Sequence, residues 1–83
     1  MEKKELQSVY NTLSQYWRDY YGSNANTQSR IEDSVRSYAN TLPDDLYVKM
    51  NQGSASGLFR SSFFQGDLER SLRIIKEEID NMQ

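Results

Sequence analysis

The sequence contains no cysteine and no histidine. Without cysteine the chain can form no disulfide, no thiolate metal site and no cysteine nucleophile. Without histidine it lacks the commonest general base and the commonest transition-metal ligand. There is also no run of about 18 apolar residues that could span a bilayer, and the opening MEKKELQSVY has no apolar stretch suited to a signal peptide. A cytoplasmic location is the expectation from these absences. Ten basic against twelve acidic residues leave a net charge of −2 and a pI near 5.0, so the basic excess of a dedicated nucleic-acid binder is missing too.

Aliphatic residues are sparse, but aromatic ones are not. Leu, Ile, Val and Phe number 17 of 83, close to the level at which a strongly charged chain stays unfolded. Here the charge is balanced, and six tyrosines and a tryptophan add apolar area outside that count. A single folded domain over residues 1–83, of modest stability, is the reading.

Residues 2–21 carry a clear helical pattern. Leu6, Val9, Tyr10, Leu13, Tyr16, Trp17, Tyr20 and Tyr21 fall at 3-4 spacing and fit an arc of about 140°. Trp17 and Tyr20 lie toward the middle of that arc, which predicts core positions. Tyr16 and Tyr21 lie at its edges, which predicts a rim. Gly22 supplies a stop. Residues 23–28 read as a polar loop, and Ser29 with Glu32 as a capping box, with Asn26 or Thr27 as earlier alternatives. Ile31, Val35, Tyr38, Ala39 and Leu42 then repeat at helical spacing, with Glu32 and Arg36 pairing on the exposed side.

Pro43 followed by Asp44 and Asp45 is a start signal for a third helix carrying Leu46, Tyr47 and Met50 inward as far as Gly53. A rival reading takes the alternation in residues 46–64 as a hairpin around the turn GSASG. In the helical reading, Leu58 to Phe64 forms a short irregular helix that gives its phenylalanines to the core, and Gly66 ends it. Asp67 then caps a last helix, in which Leu68, Leu72, Ile75, Ile79 and Met82 form a heptad-like seam. Arg73 with Glu77, and Lys76 with Asp80, are expected to pair along its outer side. The predicted fold is all-α, a bundle of about four to five helices, with α+β as the alternative.

The residues offer little catalytic chemistry. Serines are plentiful, but no histidine or well-placed lysine activates one. GSASG lacks the Lys-Ser/Thr of a phosphate-binding loop. Glu77 and Asp80 could share a helix face, but no loop alternates acids and glycines as a calcium site requires. Neither an enzyme nor a cofactor site is expected. Aromatic and basic residues do mix around Trp17, Arg18 and Tyr21, yet no second basic cluster lies near them in sequence. A nucleic-acid-associated regulator is therefore the weakest alternative. Protein binding remains, since tyrosine is favoured at interfaces.

Two segments carry a resemblance: Tyr16-Trp17-Arg18-Asp19-Tyr20 closing the first helix, and Ile75-Lys76-Glu77-Glu78-Ile79 in the last, joined through the acidic amphipathic Ile31-Glu32-Asp33-Ser34-Val35. In size, element order and these motifs the chain is similar to small helical immunity proteins encoded beside toxins in bacterial contact-dependent growth inhibition systems. The resemblance implies a cytoplasmic protein that neutralises a cognate toxin domain, often a nuclease, by covering its active site or substrate surface. Acidic and aromatic side chains would complement a basic cleft. On that chemistry the candidate contact residues are Asp19, Tyr21, Asp44, Asp45, Tyr47, Glu77, Glu78 and Asp80. The alternative is a generic helical interaction module, monomeric or weakly dimeric through the Leu68 to Met82 seam.

Overall fold

Apolar residues at helical spacing fold the described residues of this chain into four helices around one core. The structure, a computed structural model, describes residues 2–52, 57–60 and 63–82. The helices are α1 (Lys3–Tyr21), α2 (Ala25–Ala39), α3 (Asp44–Asn51) and α4 (Phe64–Asn81), with no strand among the described residues. The all-α expectation holds. The hairpin alternative fails where it can be checked, because residues 46–51 are helical. Residues 53–56 and 61–62 of the expected loop and short helix lie outside the described residues.

The two long amphipathic helices, α1 and α4, form the main interface and run antiparallel: Trp17 meets Glu69 at one end, and Leu6 lines a cleft with Glu78 and Met82 at the other. α2 folds back beside the second half of α1, with the Tyr16 and Tyr38 rings 6.5 Å apart. α3 lies against the C-terminal half of α4. Leu13, Val35, Met50, Leu58, Phe59, Leu68 and Ile75 form the fully buried centre. The seam of α4 is therefore spent on the chain's own core, and a second copy cannot use Leu68 or Ile75.

Several local expectations are corrected. α2 starts at Ala25, because Asn24 takes the cap: its side chain accepts from the Thr27 N–H at 2.9 Å. Glu32 is thereby released from capping. It accepts from the Tyr20 hydroxyl (3.1 Å) and the Arg36 guanidinium (3.2 Å), and that pair is half-buried instead of exposed. Trp17 and Tyr20 are half-buried, not core. Each turns a polar edge outward, the indole N–H donating to Glu69 and the phenol to Glu32. Neither Arg73–Glu77 nor Lys76–Asp80 reaches ion-pair distance among the described residues, whose ion pairs are Arg36–Glu32, Arg36–Asp33, Lys49–Glu78 and Arg70–Asp67.

The largest correction concerns the start of α4. The helix runs through Gly66 from Phe64, and Asp67 is not its cap. The Asp67 side chain is buried, and its carboxylate accepts from the backbone N–H of Phe59 (3.1 Å) and from Arg70 (3.0 Å). From the other side, Arg36 Nε donates to the Phe59 carbonyl (2.8 Å) and its guanidinium lies 6.0 Å from the Phe64 ring centre. Phe59 has φ +63 and a ring with no exposure, stacked at a tilt on Phe64 at 5.6 Å. A left-handed non-glycine residue needs such compensation. Of the three phenylalanines expected in the core, Phe63 is instead 76% exposed.

Candidate functional site

Helix starts and ends gather the acids. α1 begins with Glu2 at its cap and Glu5 in its first turn, and α3 begins with Asp44 and Asp45. Negative charge is favoured at both places by the helix dipole. The antiparallel pairing of α1 and α4 then brings Glu77, Glu78 and Asp80, in the last turns of α4, to the same end of the molecule. There a cleft is lined by Leu6, Asp45, Leu46, Lys49, Glu78 and Met82. Glu78 is half-buried and held by Lys49 Nζ at 2.7 Å, while Asp44, Asp45, Glu77 and Asp80 are exposed. Seven acids face four lysines (Lys3, Lys4, Lys49 and Lys76) at this end, a local charge of −3. Five of the six arginines lie toward the opposite end with five acids, while Arg73 sits near the middle of α4.

Of the eight candidate residues, the structure thus brings Asp44, Asp45, Tyr47, Glu77, Glu78 and Asp80 to one end. Tyr47 is half-buried against the core on α3. Asp19 and Tyr21 do not join them. They close α1 at the far end, thirteen or more residues from Leu6, which is about 20 Å along the helix. Asp19 accepts from Gln15 at 2.9 Å, and Tyr21 is 59% exposed with its ring edge-on to Trp17 at 4.9 Å.

Lys49 was missed as a site residue. It pairs with an acid 29 positions away, and no local pattern announces such a contact. A second surface feature was also missed. Between α1 and α4, on the side α2 and α3 leave open, runs a groove with Tyr10, Trp17 and Leu72 along it and Arg18, Glu69 and Lys76 beside them. Part of the signal was present in α1, where Tyr10 and Tyr21 lie on one side of the apolar arc and Ser14 just beyond it.

The Tyr20 phenol sits in a perturbed setting. Burial raises its phenol above the ordinary value of 10.0. The hydrogen bond to Glu32 and that carboxylate's charge add to the effect, while Arg36 opposes it. Among the described residues no three or more carboxylates gather as a metal site would require, and no helix is long and apolar enough to cross a membrane. No family model matches this chain, and no curated protein or solved structure matches it either.

Proposed function

We propose that this protein is a cytoplasmic immunity protein, without catalytic activity of its own, that binds a cognate toxin domain through its acidic end. One observation supports this reading above the others: acids from three separate parts of the sequence, residues 2–5, 44–45 and 77–80, converge on one end of the bundle. A surface of that kind complements a basic nuclease cleft, accelerates encounter and excludes nucleic acid from the same cleft by like charge. Tyr47 and the exposed Val48 on α3 add apolar area next to the acids.

Co-expression with the toxin domain encoded beside this protein tests the reading. Growth should be restored and a one-to-one complex should elute. Reversing Asp44 and Asp45 together to lysine should weaken that complex at least about tenfold at low salt, as expected for close charge pairs at an interface. Cell death with no complex overturns the immunity reading, and an unchanged complex with the reversed variant overturns the acidic end as its surface.

A further inference from the structure

The α1/α4 groove is matched to itself. Trp17 bonds Glu69 across it, and Tyr10 lines it with Lys76, so Ser14 and Leu72 lie level with one another midway between. From that level, Glu69 is three residues back along α4 and Lys76 four forward. Along α1, Trp17 is three forward and Tyr10 four back. A two-fold axis crossing both helices there sets α4 antiparallel on α4 of a second copy, and α1 on α1. Glu69 then faces Lys76 of the second copy, and Trp17 faces its Tyr10, each contact occurring twice. Within the chain neither Glu69 nor Lys76 has an ion-pair partner among the described residues. Two opposite charges outside any ion pair thus flank a half-buried aromatic floor, three and four residues from its middle, with Arg18 beside Glu69 and Asp80 beside Lys76.

We propose that the α1/α4 groove is a homodimer interface, closed by a second copy of this chain in an antiparallel, two-fold arrangement. The face is about 28 Å long and about 20 Å wide from helix dimensions. Two copies bury on the order of 1,100 Å², the low end for a specific interface, so the dimer is reversible. The cleft holding Asp45 and Glu78 lies on the α3 side of α4 and stays open in this dimer.

Sedimentation equilibrium of the full chain decides it. At about 50 mM salt, where charge pairs are weakly screened, the mass should rise with concentration from 9.7 kDa toward twice that value. Glu69→Lys and Lys76→Glu should each weaken the dimer about tenfold, by setting like charges face to face twice. Mixing the two variants should restore it, because both cross-pairs then become opposite in sign. Ser14→Glu, which sets two carboxylates near the axis, is an independent disruptor if either reversal unfolds the chain, with helicity by circular dichroism as the control. A chain that stays monomeric at millimolar concentration, or a dimer indifferent to these changes, overturns the proposal. Toxin binding is a separate readout, because Glu69 and Ser14 are outside the acidic end.

Discussion

The Asp67 carboxylate accepts the backbone N–H of Phe59 at 3.1 Å, inside the protein. This contact ties the first turns of α4 to the turn that precedes them. Asp67→Ala leaves that N–H without its acceptor and removes a partner of Arg70, and should cost about 2–3 kcal/mol, the worth of a buried bond to a charged group. Asp67→Asn keeps an acceptor and should cost clearly less. Urea unfolding of the three proteins checks the order, and equal losses would mean that the charge, not the bond, is what matters.

Phe59 should show an inverted alanine–glycine preference. Phe59→Ala removes a fully buried ring, at about 3–5 kcal/mol. Phe59→Gly loses the same ring but relieves the φ of +63, a relief of about 1 kcal/mol for a left-handed residue. The glycine variant should therefore be the more stable of the two, contrary to the usual order, and a higher urea midpoint for the alanine variant would count against the left-handed turn.

Ser71 is fully buried in α4, and its hydroxyl has no hydrogen-bond partner among the described residues. Ser71→Ala should raise stability by about 1 kcal/mol by removing an unsatisfied polar group and improving helix propensity. Ser71→Leu should lower it by about 1–3 kcal/mol through overpacking. Thermal melts of both variants check the signs, and a destabilised alanine variant would reveal a bond to that hydroxyl.

Tyr20 gives a pH signature. Its folded phenol holds the proton to a higher pH than the unfolded chain, whose value is near 10.0. Its contribution is thus complete below pH 10 and disappears as the pH rises through the raised folded value. Tyr20→Phe should cost about 1 kcal/mol at pH 8, where the bond to Glu32 exists, and less at about pH 11. A wild-type-to-variant gap that stays constant with pH would show the hydroxyl to be uncoupled from Glu32.

Trp17→Ala should cost about 2 kcal/mol, short of the full-burial range, while Tyr21→Ala should stay within about 0.5 kcal/mol. Both are to be measured by urea unfolding at low micromolar concentration, so that self-association does not contribute. A loss at Trp17 matching that of a fully buried ring would restore the sequence expectation for it.

How far the fold could be read depended on where each residue's partner sits. The faces of α1 and α4 were legible because Leu6, Leu13, Leu68 and Ile75 recur at helical spacing, a signal local to each segment. Gly22 and Pro43 marked ends for the same reason. Trp17 was misplaced because periodicity gives an angle on a helix, whereas burial depends on which neighbours cover that angle, and here Glu69 and Leu72 of α4 leave it half-covered. Asp67 was misread because Gly-Asp is a local start signal, while its actual partner, the Phe59 N–H, arrives through the tertiary fold. For the site, the acids could be named from composition, but their convergence depends on α1 and α4 being antiparallel. No single segment encodes that.

The separation of lysines from arginines has a practical consequence for handling the molecule. Every side-chain amine lies on the half that carries the acidic cleft, and every guanidinium but that of Arg73, at the middle of α4, lies toward the other. Amine-directed dyes, cross-linkers or resins will therefore attach at the acidic end and orient the protein with that end covered. A pull-down built on amine coupling would hide the surface it is meant to display, whereas a cysteine introduced at Arg30 or Arg60 would leave it facing the solution.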